Sequence, residues 1–310
     1  MADSNSAQPA KRVLTGLSWA DSTPQVRIRD DEAPASTLRP VVGLRLRYRT
    51  SPDAARLCVG HTPFRKSDVD HVDCAAAPLP GGRKCDRCAV VDSTFASNLH
   101  HAHTKDRADI DPAIAEHLRQ PNRLYIAAFR DGSLKVGTTT EKRREKRLTE
   151  QGAWRAMFVA TTTDGYAVRD IEDKVTAELG LAQSVSIGRK LDGMAQPKLD
   201  SAIESSLESA SGLVAELIGA AGDARLTPMS EPWQFPDSDS HVWAGLHRYP
   251  LKLSSGSHDL EVQAACGRMM VLAQPGSSDA FVADLGQLFG IELDIGDYEP
   301  DALAVQDSLF

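Results

Sequence analysis

Leu124-Tyr125-Ile126-Ala127-Ala128-Phe129-Arg130-Asp131-Gly132-Ser133-Leu134-Lys135-Val136-Gly137 is the stretch whose reading decides the fold. Two apolar runs flank Asp131-Gly132, a dipeptide favoured in tight hairpin turns because both residues tolerate positive φ. The pattern predicts a strand over 124–129, a turn, and a second strand over 134–136. Downstream, 140–151 reads as a very basic helix, 157–162 as a strand, and 166–179 as a helix stopped by Gly180. Upstream, Pro112 in a first turn and Asp111 as its cap predict a helix over 112–119. The order β-β-α-β-α thus fills about sixty residues of a 310-residue chain.

Particular residues on this unit carry chemistry. Tyr125 lies in the first strand, Lys135 and Gly137 end the second, Arg144 and Arg147 lie on the basic helix, and Glu172 on the later one. In this arrangement the unit resembles the GIY-YIG nuclease superfamily. Tyr125 matches the tyrosine of the first motif, while Leu124 and Ile126 depart from it. Gly137 matches the glycine of the second motif, and Lys135 stands where another tyrosine is usual. The resemblance implies one active site in which Glu172 holds a divalent ion, Mg²⁺ or Mn²⁺. Arg144 or Arg147 would neutralise charge on the phosphorus, and Tyr125 would orient or deprotonate the attacking water. With the cysteines upstream, the chain is similar to an uncharacterised prokaryotic zinc-containing family related to that superfamily.

Plainer readings of the same residues stand beside this one. Tyr125 suits a core position with its hydroxyl at the rim, and Glu172 suits an ion pair with Arg169 or a role near the helix N-terminus. Residues 119–155 contain ten Lys or Arg against four Asp or Glu. Pairs with Glu141 and Glu145 absorb only part of this excess. Lys135, Lys142, Arg143 and Lys146 are therefore candidate contacts to nucleic-acid phosphates, of DNA or RNA.

Four of the five cysteines cluster. Fifteen residues separate Cys58 from Cys74, ten separate Cys74 from Cys85, and two separate Cys85 from Cys88. The Cys-x-x-Cys pair, preceded by Pro80-Gly81-Gly82, has the spacing that lets two thiolates reach one tetrahedral ion. Together Cys58, Cys74, Cys85 and Cys88 predict a structural zinc site with no open position. His61 and His71 also have ligand spacing and compete for a place in the set. A redox role would expect a thioredoxin-like setting, which the surrounding sequence lacks. Cys266, alone in an apolar strand, reads as core. His100, His101 and His103 are read as a polar loop, with a second metal or a general base as the sharper alternative.

Composition sets the frame: 41% hydrophobic, 25% charged, net charge −8, and a final twenty residues without a basic side chain. The polar start carries no apolar signal segment and no stretch is long enough to span a bilayer, so a cytoplasmic protein with no membrane partner is expected. The expected architecture is α+β. A largely disordered leader over 1–38 precedes a β-rich zinc module over 39–110, whose first strand covers 42–48. A GIY-YIG-like module over 111–198 follows. A C-terminal mixed helix and strand domain over 199–310 has a helix at 199–218, strands within 233–272, a helix at 279–289 and an acidic tail. The expected function is nucleic-acid binding, with metal-dependent endonuclease action as its catalytic form. A non-catalytic nucleic-acid or protein-binding module is the rival.

Overall fold

Apolar side chains at alternate positions supply most of the strands, and the computed structural model describes residues 10–20, 22–30, 35–63 and 71–303, with 94–98 as backbone only. Four strands open the chain: β1 (Ala10–Ala20), β2 (Thr23–Asp30), β3 (Thr37–Pro40) and β4 (Arg45–Thr50). Helices α1 (Asp86–His100) and α2 (Pro112–Leu118) lead to the hairpin β5 (Asn122–Ala128) and β6 (Leu134–Thr140). Then come α3 (Arg144–Gln151), β7 (Arg155–Thr162), α4 (Gly165–Leu179), α5 (Ile187–Ala195), α6 (Asp200–Ala221) and β8 (Leu226–Gln234). The chain closes with β9 (His247–Arg248), β10 (Gly256–Cys266), β11 (Met269–Ala273), β12 (Ala280–Asp284) and β13 (Glu292–Ile295).

These elements form a mixed fold of six α-helices and two sheets among the described residues. The central sheet has the order β6-β5-β7-β8 and is antiparallel throughout. The hairpin turns at Gly132 (φ +80°), where the Phe129 N–H meets the Ser133 carbonyl at 3.0 Å. On β5, Leu124, Ile126 and Ala128 face the main core, which includes Val168 and Ile171 of α4 and Ile203 and Val214 of α6. Tyr125, Ala127 and Phe129 face the other way and meet Leu148 of α3 and Phe158 of β7. Burial of both faces explains why the strand reads as a continuous apolar run.

The second sheet corrects the expected domain plan. Its order, β3-β2-β1-β13-β4-β10-β11-β12-β9, interleaves both ends of the chain. In place of a leader, β1 and β2 pair along their lengths, and β1 accepts β13 on its other edge. Polar, Arg-rich strands with one buried face, as in Val26 and Ile28, carry too weak an apolar signal to read in isolation. Residues 39–110 and 199–310 are likewise not separate modules, because β4 lies between β13 and β10 while β8 extends the central sheet.

Local differences follow the same logic. Val42 is 51% exposed and Gly43 takes φ +80°, so the strand expected over 42–48 begins only at Arg45 after a turn. The helix expected over 279–289 is instead strand β12 followed by a short 3₁₀ turn. Residues Phe281, Val282 and Ala283 are buried on both faces between strands, and a short, fully buried run has no period to tell helix from strand. The helix over 112–119 and its Asp111 cap form as read, with the carboxylate accepting from the Ala113 N–H at 2.8 Å. Cys266 is fully buried, as expected of a core residue.

One apolar core joins the two sheets. Trp154, the residue before β7, stacks on Phe235 and meets Trp243 edge-on, each with ring centroids 5.8 Å away. Trp19 of β1 closes on Phe235 from the other sheet. No helix among the described residues is long and apolar enough to cross a membrane.

Candidate functional site

The cysteine segment is mostly turns. Leu79-Pro80-Gly81-Gly82 reverses the chain, with Gly81 at φ +71° and the Gly82 N–H on the Leu79 carbonyl at 2.8 Å. Cys85 then caps α1, its carbonyl accepting from the Ala89 N–H at 2.9 Å. The Cys58 sulfur accepts backbone N–H groups of Gly60 and Cys85 at 3.4 and 3.2 Å. The four sulfurs of Cys58, Cys74, Cys85 and Cys88 lie within 4.8 Å of one another, and Cys74 and Cys85 are 3.8 Å apart. A tetrahedral ion with metal–sulfur bonds near 2.3 Å sets sulfurs about 3.8 Å apart, so the arrangement fits a metal such as zinc.

Acidity within the cluster is uneven. The backbone N–H of Cys88, with help from neighbouring thiols, draws Cys85 down to about 7, whereas burial pushes Cys88 up. The histidines do not replace a cysteine. His61 lies outside the sulfur set, its Nδ1 3.3 Å from Cys88 Sγ. His71 Nε2 is buried without a hydrogen-bond partner, 3.4 Å from an Asp73 oxygen.

The second site sits on the outer face of the central sheet. Tyr125 of β5 and Gly137 of β6 are directly paired. The Tyr125 ring lies so close over Gly137 that a Cβ there would stand 2.5 Å from Cζ. Glycine is thus required by the tyrosine across from it. The Tyr125 hydroxyl accepts the Gln151 amide at 3.1 Å, and the Arg147 guanidinium beside it opposes the rise in phenol pKa that burial causes. Lys135, 7% exposed, holds its ammonium 5.9 Å from the Tyr125 ring centre. Desolvation, with Arg147 and Lys190 as neighbours, lowers its pKa to about 8, while Glu172 favours the cation.

Glu172 is buried, and its carboxylate accepts from the Arg169 guanidinium of the same helix. Tyr125, Lys135, Arg147 and Glu172 therefore share one electrostatic neighbourhood. Arg144 does not join it. Its guanidinium binds Glu231 at 2.7 Å on the neighbouring edge, where Arg123 bridges Glu141 and Glu231. Positions 144 and 147 lie only about 60° apart around the axis, so the split comes from charge partners: Glu141, Glu145 and Glu231 draw the Arg144 guanidinium to that edge. The expected divalent ion finds a poor donor set here. A single carboxylate already neutralised by Arg169 and surrounded by lysine and arginine does not fit a resident Mg²⁺ or Mn²⁺.

Other basic positions on α3 and the turn before it are exposed. Arg143 binds Glu150 at 2.8 Å and Lys146 lies 4.0 Å from the same carboxylate, while Lys142 projects from the turn. His100 and His101 are exposed with rings 5.1 Å apart, and His103 Nε2 meets Asp173 at 2.8 Å. Among the described residues these histidines complete no metal-binding group of three, so the second-metal reading falls. Two members of the Tyr125 centre, Gln151 and Lys190, escape the sequence reading, whereas Arg169 is read there as the ion-pair partner of Glu172. Gln151 lies four residues from Arg147 and is the one that helical spacing points to. Lys190 donates to the Gln151 carbonyl at 2.7 Å from α5, a link that no local pattern contains.

A family model described as "Protein of unknown function (DUF2797)" matches residues 81–255, more than half of the chain. No curated protein and no solved structure matches it.

Proposed function

The chain belongs to the DUF2797 family, and from the chemistry of its Tyr125 centre we propose that it binds the phosphodiester backbone of a nucleic acid there. One observation carries this reading: Lys135 is buried beside Arg147, Arg169 and Lys190 with Glu172 as counter-charge. Such a surplus of cations is stabilised by an anion, and a phosphate matches both the guanidinium fork and the ammonium. The Tyr125 hydroxyl and Gln151 amide add neutral donors at the same place. In this reading the four cysteines hold zinc as a brace, with all four positions filled and no role in the chemistry.

The fold relationship to GIY-YIG nucleases is part of the same proposal, supported by the β-β-α-β-α order and the Tyr125–Gly137 contact. We assign binding rather than cleavage because Glu172 is engaged by Arg169. Fluorescence anisotropy with single- and double-stranded DNA and RNA tests it. Affinity should fall steeply with salt, and Arg147→Ala and Lys135→Ala should each weaken it about tenfold. Absence of binding at low salt rejects the proposal. Cleavage in Mg²⁺ or Mn²⁺ that disappears in Glu172→Gln replaces binding with hydrolysis.

A further inference from the structure

A second cationic site lies on the other side of α3. A cavity of about 570 Å³ opens between the β1–β2 hairpin, the cysteine knuckle and the basic helix. Arg27, Lys84, Arg143 and Lys146 line it against one carboxylate, Glu150. Glu150 is already shared by Arg143 and Lys146. Lys84 pairs with Asp92 of α1, outside the lining. Half-buried Arg27 makes no hydrogen bond or ion pair with the described residues, and its charge is felt by His71 and Asp73.

The backbone around Arg27 is shaped for this opening. The pairing of β1 with β2 slips between Leu14 and Gly16, leaving Thr15 as the extra residue of a bulge and setting Gly16 opposite Arg27. Bulges re-aim side chains, and Thr15 borders the cavity, 95% buried, with its hydroxyl enclosed and without a hydrogen-bond partner. His71 also borders the cavity, its Nε2 enclosed 3.4 Å from an Asp73 oxygen. A Cβ on Gly16 would meet nothing within 4 Å, so the bulge leaves space where a side chain would otherwise stand. Four cationic side chains around one shared carboxylate leave a net positive cavity, the complement of an oxyanion.

We propose that this cavity binds a phosphate group on a ligand of nucleotide size, with Arg27 and Lys146 as its principal charge contacts. The volume is within the range of small-ligand sites, roughly 300–1,000 Å³. Arg143 and Lys146 lie one turn of α3 apart and face this cavity, whereas Arg147 and Gln151 of the same helix serve the Tyr125 centre. The two sites are therefore separable by mutation. The phosphate has two sources: a free nucleoside phosphate, or the phosphorylated end of a strand.

Calorimetry on the full metal-loaded chain distinguishes them, using inorganic phosphate, nucleoside mono- and triphosphates, and short oligonucleotides with a 5′-phosphate or a 5′-hydroxyl. Binding of a nucleoside phosphate, or a 5′-phosphate oligonucleotide preferred over its 5′-hydroxyl form, is expected. Arg27→Glu or Lys146→Glu should weaken that binding at least about tenfold. Gly16→Leu, which adds bulk without changing charge, should weaken it equally. Failure of every phosphate probe to bind at millimolar concentration, or binding unaffected by the Arg27, Lys146 and Gly16 variants, overturns the proposal. Binding lost in Lys135→Ala but retained in those three assigns the phosphate to the Tyr125 centre instead.

Discussion

The cysteine knuckle and the Tyr125 centre are both small polar clusters, but opposite forces assemble them. Among the described residues from 56 to 92, the buried apolar side chains are Cys58, Val59 and Cys88, too few to hold a chain of turns by burial. Order there depends on whatever the four sulfurs bind. The Tyr125 centre stands on a strand buried on both faces, where Leu124, Tyr125, Ile126 and Ala127 are all fully enclosed. Packing holds that centre and buries Lys135 among like charges, so that desolvation first and the neighbouring cations second depress its pKa. One site would take its shape from a metal that the four sulfurs are placed to hold, whereas the other keeps its shape at a cost in electrostatic energy.

Metal removal tests this contrast most severely. Structural thiolate sites bind zinc with apparent free energies of roughly 10 kcal/mol or more, and that energy is folding energy. Chelation or Cys88→Ser should strip amide protection from the segment between Cys58 and α1 while β5, β6 and β7 keep theirs. Hydrogen exchange read by mass spectrometry, alongside elemental analysis showing about one zinc per chain, checks both halves. Purified protein without bound metal but with a fully protected knuckle would erase the comparison.

Electrostatic cost at the Tyr125 centre has its own signature. Lys135 titrates near 8 in the folded chain against an unperturbed 10.5, so the unfolded state binds more protons between those values. Its contribution to stability is unfavourable below pH 8 and is relieved as pH rises from 8 to 10.5. Lys135→Met should therefore stabilise the protein at pH 7 by up to roughly 3 kcal/mol and flatten that alkaline rise, while weakening phosphate binding. Denaturant midpoints from pH 7 to 10.5 measure this. Equal or lower stability in the variant would mean the ammonium is not strained.

Gly137→Ala acts on the same centre through space rather than charge. The new methyl would collide with the Tyr125 ring, so the strand or the ring must shift, at about 1–3 kcal/mol. Gly137→Ala with Tyr125→Ala should recover part of that loss, since the collision disappears with the ring. A double variant no better than the sum of its parts would show that the glycine answers to something else.

How much of this was legible in the sequence follows from the same division. The Cys58, Cys74, Cys85 and Cys88 set was readable because ligand spacing is local and packing hardly enters. The β-β-α-β-α unit was readable because Asp131-Gly132 and Gly180 punctuate it. The sheet that joins β1, β13 and β4 was not, since its register links residues about 280 positions apart, as in Val13 with Glu292. Strand β12 was misread as helix because burial on both faces removes the period. At the Tyr125 centre the tyrosine, lysine, glycine and the Glu172–Arg169 pair are visible in the sequence, but Lys190 and the choice between the two arginines are matters of three-dimensional placement.

That choice gives the smallest expected effect and the finest test. Arg144 is half-buried on an edge where Glu231, Glu141 and Glu145 surround it, and ion pairs of this kind contribute about 0.5 kcal/mol. Arg144→Ala should cost about that much stability and leave binding at the Tyr125 centre nearly unchanged. Arg147→Ala should cost little stability, because the residue is exposed, but should remove a charge from beside the Tyr125 hydroxyl. Paired denaturation and anisotropy measurements on the two variants separate these outcomes. If Arg144→Ala weakens binding as much as Arg147→Ala, the phosphate path crosses the Glu231 edge, and the centre is wider than the packing of β5 and β6 defines.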